Sequence, residues 1–248
     1  MIPKIIHYCW LSDDPVPDNL KKCMESWKKL EGYEIKKWDF SRFDKSSSVW
    51  VKEAFDNRKY AFAADFIRLY ALYTEGGIYL DMDIEVLKPF DDLLHRPYFL
   101  AYESPAETAV EAACMGFTKG NEYLKKCLDY YKERHFVKNN GEFDTLPLPQ
   151  IMNHVASENA VHLECFDWQT FTCKSFDTGI EYVSAKSYTI HHFAGSWLDS
   201  ELQNEIEFRH RLNAKYKNCG DILFKLYKYG LHPWKICGVI KTKLKMIR

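Results

Sequence analysis

Apolar and polar positions along this chain follow two periods in turn, and the switches between them outline its elements. Lys4 to Trp10 is short, β-branched and aromatic, which predicts a buried strand. A turn rich in Asp and Pro fills 11–17, and Asp18 is placed to cap a helix whose apolar positions are Leu20, Cys23, Met24, Trp27 and Leu30. Tyr33 to Trp38 reads as a second strand, and Ser46 to Ser48 can cap a short helix running through Phe55. Tyr60 to Glu75 has the helical period and stops at Gly76, a good helix-ending residue. From Gly76 to Val86 the period becomes two. Ile78, Leu80, Met82, Ile84 and Val86 take one face of a strand, and Tyr79, Asp81, Asp83 and Glu85 take the other. Farther on, Tyr98 to Glu103 predicts a strand and Asn121 to His135 a helix with Tyr123, Leu124, Cys127, Leu128 and Tyr131 as its stripe. A loop with Gly and Asn follows over 137–147, Pro149 opens another short helix, and 161–193 breaks into short strand-like pieces. This alternation predicts an α/β class with parallel pairing. Ligands of such sheets bind beyond the carboxyl ends of the strands, where Trp10, Asp81 and Asp83 fall.

The face that carries Asp81, Asp83 and Glu85 is expensive, because like charges repel and unpaired burial costs several kcal/mol. A divalent cation relieves this, since hard cations such as Mg²⁺ or Mn²⁺ take one or two carboxylates together with substrate phosphates. Asp-x-Asp by itself describes many solvated strand edges. The preceding helix changes the weighing: Asp65 and Arg68 stand three residues apart on one of its faces, and a charged face leading into a carboxylate strand suggests one shared polar site.

Composition narrows the function without naming it. The 248 residues suffice for one large domain, and 46% hydrophobic with 28% charged residues is ordinary for a globular chain. A formal net charge of −1 argues against nonspecific nucleic-acid binding. Eight scattered cysteines include no Cys-x-x-Cys pair, so a zinc site is not expected. With no secretory signal at Met1–Lys4, they are expected to be free thiols in a cytoplasmic protein. Sixteen Tyr and seven Trp suit a sugar site, although core filling accounts for most such residues.

Ala64-Asp65-Phe66-Ile67-Arg68-Leu69-Tyr70 followed by Gly76-Gly77-Ile78-Tyr79-Leu80-Asp81-Met82-Asp83 resembles the core of the DXD sugar-transferase family. That group includes yeast Och1-type mannosyltransferases and bacterial capsule glycosyltransferases, and it is similar to the glucosyltransferase domain of the large clostridial toxins. Ile2 to Trp10 and His191 to Trp197 also resemble family blocks, so the likeness covers roughly residues 1 to 200. It implies a GT-A-type fold, a single Rossmann-like mixed sheet flanked by helices, over 1–220. Residues 221–248 are expected to form a basic, helical, amphipathic tail.

The resemblance also implies roles. Trp10, otherwise a core tryptophan, stacks on the nucleotide base of a sugar donor. Asp65 bonds sugar hydroxyls, and Arg68 grips the donor sugar or phosphate with its planar fork. Asp83 ligates Mn²⁺ or Mg²⁺ directly, Asp81 binds ribose or the metal through water, and Glu85 is solvated or supports a ligand. The closing segment brings a metal ligand, His191 or His192, and lid residues Ser196 and Trp197 to the diphosphate. Adjacent strand residues face opposite ways, so only one of the two histidines readily meets the metal. Ala64 stands where a serine is frequent, and Leu11-Ser12-Asp13-Asp14 replaces a glycine-rich turn near the base, which leaves the nucleotide open. The expected activity is metal-dependent, retaining hexosyl transfer from a UDP- or GDP-sugar to a glycan or lipid-linked glycan in capsular or surface polysaccharide synthesis. The alternatives are a non-catalytic nucleotide-sugar or glycan-binding module and a phosphate-transferring metalloenzyme. The tail places Lys225, Lys228, Lys235, Lys241, Lys243, Lys245 and Arg248 among apolar residues. That composition suits a helix lying on an anionic membrane at the inner face, and equally one packed on the domain.

Overall fold

The computed structural model describes residues 1–195, 198–216 and 219–228. The expectations for Ser196, Trp197 and the tail beyond 228 therefore lie outside the described residues. The chain divides into two compact units: Met1–Cys173 with Val183–Trp197, and Lys174–Tyr182 with Leu198–Arg248.

In the first unit the strands are β1 (Ile5–Cys9), β2 (Glu34–Trp38), β3 (Gly77–Leu80), β4 (Ile84–Val86), β5 (Tyr98–Ala101), β6 (Cys114–Phe117), β7 (Cys165–Phe166) and β8 (Thr189–His191). Six of them form one sheet in the order β2-β1-β3-β6-β5-β7. The β2, β1 and β3 strands run parallel, β6 is antiparallel to both β3 and β5, and β7 is parallel to β5. The sheet is thus mixed, as the GT-A-type expectation requires, and not parallel throughout. Its two faces bury two cores. Tyr79, Leu100, Met115 and Phe117 pack under α2 (Val49–Asp56), α3 (Tyr60–Glu75), α4 (Glu122–Tyr131) and α5 (Leu148–Glu158). Ile6, Ile78, Leu80, Phe99 and Cys114 pack on the other face against Trp27, Phe90, Phe171 and Tyr188.

Helix α3 has the bounds its periodicity predicts. Two glycines end it for separate reasons. Gly76 has φ +70°, and a Cβ there would meet the Lys119 amide nitrogen at 2.6 Å; Gly77 has φ +110°, and its Cβ would meet the Ile5 carbonyl at 2.7 Å. Together they let α3 turn directly into β3 beside β1. Ser48 caps α2 as expected, accepting a bond from the Val51 amide. Asp18 does not cap α1 (Asp18–Glu25): Pro17 holds that position, Asp18 lies in the first turn, and a 3₁₀ turn carries the segment on to Lys29.

The continuous strand predicted over 76–86 is two strands. The chain turns at Asp81–Asp83, with the Ile84 amide donating to the Asp81 carbonyl at 3.0 Å. β4 then leaves the large sheet and pairs antiparallel with β8, Ile84 opposite His191. Its other side is held by Trp27 Nε1 donating to the Ile84 carbonyl (2.9 Å), the Val86 amide donating to Ser26 Oγ (2.7 Å) and Lys29 Nζ donating to the Val86 carbonyl (2.7 Å).

In the second unit α6 (Ser200–Tyr216) and α7 (Gly220–Lys228) pack through Phe208, which lies 4.9 Å from the Tyr227 ring and 6.4 Å from that of Phe224. Arg209 Nε donates to Asp221 at 2.6 Å, and Asn213 donates to the Thr178 carbonyl at 3.0 Å. No helix among the described residues is long and apolar enough to cross a membrane.

Candidate active site

The turn at Asp81–Asp83 lies at the carboxyl end of β3, beside the end of β1. The register pairs His7 with Tyr79, so the next inward pair on these strands is Cys9 and Asp81. Two side-chain assemblies meet at this turn.

The first is centred on Arg68. From the buried face of α3 its guanidinium reaches Asp65 at 3.1 Å and Asp81 at 3.0 Å, donates to the Ala112 carbonyl at 2.9 Å, and lies 4.6 Å over the Tyr79 ring. Tyr79 donates its hydroxyl to the second Asp81 oxygen at 3.0 Å. Burial pushes the Asp65 carboxyl up to about 7 against the pull of Arg68, and burial likewise raises Asp81 against the same cation. Arg68 Nε is buried with no partner among the described residues, a cost of about 1–3 kcal/mol for a stranded donor.

The second assembly joins Asp83 to β8. Of the two adjacent histidines, His191 faces Asp83, its Nε2 3.5 Å from Asp83 Oδ2. His192 points the other way, its Nε2 2.9 Å from Glu85. The backbone closes over Asp83 as well: the Ala194 amide donates to Oδ2 at 2.7 Å and the His192 amide to the Asp83 carbonyl at 3.1 Å. Burial alone would raise Asp83, but His191 and the Ala194 amide outweigh it and hold the carboxyl down to about 2. Burial would lower His191, and here Glu111 and Asp83 outweigh it and drive the imidazole upward.

Glu111, Tyr79, Thr172 and Glu103 are absent from the sequence-based set of site residues. Glu111 is 1% exposed, 3.0 Å from His191 Nδ1. Its signal in the sequence is a lone charge in the apolar run Val110 to Met115. Glu103 is raised to about 7 by burial and by Glu111, against the pull of His191.

Trp10 is half-buried at the end of β1, where its indole N–H donates to the Asp14 carbonyl at 3.1 Å. It borders the core of the sheet face that carries Ile78 and Leu80, and the 11–14 turn fixes one edge of the ring.

The donor chemistry suits a hard divalent ion. Asp83 supplies a carboxylate oxygen and His191 an imidazole nitrogen whose other nitrogen is already engaged, the arrangement usual for a ligating histidine. Among the described residues no three or more His, Cys, Asp or Glu side chains surround one point. An ion held here would complete its shell from water and substrate oxygens, as Mg²⁺ commonly does.

Residues 16–100 match the family described as glycosyltransferase sugar-binding region containing DXD motif. The chain is 33% identical over 128 residues to "Inositol phosphoceramide mannosyltransferase 3" of Schizosaccharomyces pombe, covering 50% of this chain and 35% of the relative. It is 31% identical over 151 residues to "Mannosyl phosphorylinositol ceramide synthase SUR1" of Saccharomyces cerevisiae, covering 56% of this chain and 36% of the relative. The chain thus spans about a third of the length of these relatives. Among solved structures, "PaToxG Glycosyltransferase" is 21% identical with a TM-score of 0.48, over 64% of this chain and 69% of that one. Asp81 and Asp83 lie within the matched segment, so residues 16–100 are similar to the DXD-containing sugar-binding region of glycosyltransferases.

Proposed function

We propose that this protein transfers a hexose from a nucleotide-diphosphate sugar to a glycan or lipid-linked hydroxyl, with a divalent cation and with retention at the anomeric carbon. The observation that carries the reading is Asp83 and His191, brought face to face from the turn after β3 and from the end of β8. Asp83 and His191 would hold the ion, and a bound Mn²⁺ or Mg²⁺ supplies Lewis-acid stabilisation of the departing diphosphate. The chain's own residues orient the donor. Asp65 and Arg68 offer a carboxylate and a guanidinium for sugar hydroxyls and phosphate oxygens, prealigned by their mutual ion pair. Asp81 is fixed by Arg68 and Tyr79 and so presents its carboxylate in one orientation. Trp10 offers an indole face for the base. Retention through a front-face, ion-pair-like route fits the resemblance, and proton NMR of the product's anomeric signal tests it.

The relatives named for mannosyl transfer to inositol phosphoceramide make mannosyl donors and lipid-linked acceptors the first to try. A panel of UDP- and GDP-sugars, assayed for released nucleotide with Mn²⁺ and with chelator, tests the reading. Metal-dependent release that Asp83→Asn abolishes supports it. Full activity in chelator, or in that variant, sinks the metal role, and donor binding without turnover favours a non-catalytic module. The basic, apolar composition after Asp221 supports peripheral binding at the cytoplasmic face of an anionic membrane, at about 1 kcal/mol per basic residue. Full-length protein that stays in the supernatant with anionic vesicles at low salt would rule this out.

A further inference from the structure

Glu111 is the most buried carboxylate near the site, and both of its oxygens accept hydrogen bonds. Oε1 takes the Ala113 amide at 2.7 Å; Oε2 takes the Thr172 hydroxyl at 2.8 Å and faces His191 Nδ1 at 3.0 Å. Its backbone amide donates to the Ala101 carbonyl at 2.8 Å, which ties the approach to β6 to the end of β5. Thr172 is fully buried, so the acceptor cannot swing away from the imidazole. A carboxylate that accepts from Nδ1–H decides which nitrogen carries the proton. The proton that leaves when an ion binds is then the one on Nε2, which frees that nitrogen's lone pair on Asp83's side of the ring. The Phe193 ring, stacked on the imidazole at 3.9 Å between centroids, restrains its tilt. A structural role alone would be met by the Ala113 and Thr172 bonds; placing a charge 3.0 Å from the imidazole nitrogen that points away from Asp83 is a separate feature.

We infer that Glu111 is a positioning residue for the metal site, holding His191 in the Nδ1–H form with Nε2 directed at the ion beside Asp83. The inference rests on the reading of Asp83 and His191 as metal ligands. It gives the carboxylate–histidine–metal relay a member supplied by the segment before β6 and buttressed by Thr172.

The test is Mn²⁺ binding by calorimetry to the full chain in the presence of a nucleoside diphosphate, for wild type, Glu111→Gln, Asp83→Asn and His191→Ala. Glu111→Gln keeps the shape and removes the charge, and should weaken Mn²⁺ binding about 10- to 100-fold. The KM for Mn²⁺ should rise in step, with most of kcat returning at saturating metal. If Asp83→Asn and His191→Ala lose Mn²⁺ while Glu111→Gln binds as wild type does, the positioning role fails and the metal site stands. If Asp83→Asn and His191→Ala also bind as wild type, the metal reading itself fails and takes the inference with it. Should Glu111→Gln fold poorly, Glu111→Asp keeps the charge but draws it back by one methylene. A smaller loss of affinity there supports the inference, and an unchanged affinity overturns it.

Discussion

Arg68→Met replaces a buried cation with an apolar side chain of similar length and leaves two buried carboxylates behind. At 3.1 and 3.0 Å from Asp65 and Asp81, each ion pair is worth about 5 kcal/mol at an effective dielectric of about 20. Stripping water from the guanidinium offsets much of that gain, so the native assembly is only modestly stabilising in net. Its disruption is another matter. Breaking a buried pair by removing one partner costs about 3–5 kcal/mol, because the charge left behind has neither water nor a counterion. Asp65 can limit the damage: its carboxyl already stands at about 7 and would take up a proton once Arg68 is gone. The loss should therefore sit near the lower end, about 3 kcal/mol, or about 6–12 °C in Tm for a chain of this size. Differential scanning fluorimetry at pH 7.5 measures it. Lys21→Met serves as the control, because its pair with Asp18 is exposed and screened by solvent. Adding Asp65→Asn to Arg68→Met should restore part of the loss, because the chain no longer has to protonate a buried carboxyl at pH 7.5. An Arg68→Met protein that melts within a degree of wild type would refute the account, as would a double variant less stable than the single one.

Trp10→Ala should raise the donor KM at least about fivefold, from about 1–3 kcal/mol of base stacking. An unchanged KM with lowered stability would return the residue to the core. His7 is fully buried, accepts the Trp38 indole N–H at Nδ1 (2.9 Å) and donates Nε2–H to the Gly76 carbonyl (2.7 Å), so the neutral ring is fully satisfied. Burial lowers its pKa, and the sign follows: above about 6.5 both folded and unfolded chains are neutral there, whereas below it only the unfolded chain gains the proton. Stability should fall with acidity below about pH 6.5, by up to about 1.4 kcal/mol per pH unit from this residue. His7→Phe should flatten that slope in urea titrations between pH 7 and 5, and parallel slopes in the two proteins would discount it.

Legibility from sequence tracked how local the deciding physics was. Helix α3 was readable to its ends because its period, its length and Gly76 all act within the segment. The break at Asp81–Asp83 was not readable. Leu80, Met82, Ile84 and Val86 are all buried, so the alternation runs on through a turn in which the backbone is no longer a strand. What diverts β4 is Ser26, Trp27 and Lys29 on one side and β8 on the other, the latter more than a hundred residues away. The same pairing decides between the histidines. That they face opposite ways follows from strand geometry, but which one meets Asp83 depends on Ile84 standing opposite His191, and register is a tertiary fact. Glu111 lies between these cases. A lone carboxylate inside Val110 to Met115 signals an obligatory partner, since its burial is too costly otherwise, yet the partner's identity awaits the chain's return through Thr172 and His191. The chemistry of this site was thus announced locally, by charges in apolar surroundings, while its geometry was set by contacts that close over long stretches of chain. Substitutions at Ser26 or Trp27, far from the carboxylates in sequence, should accordingly disturb the turn as much as changes beside it.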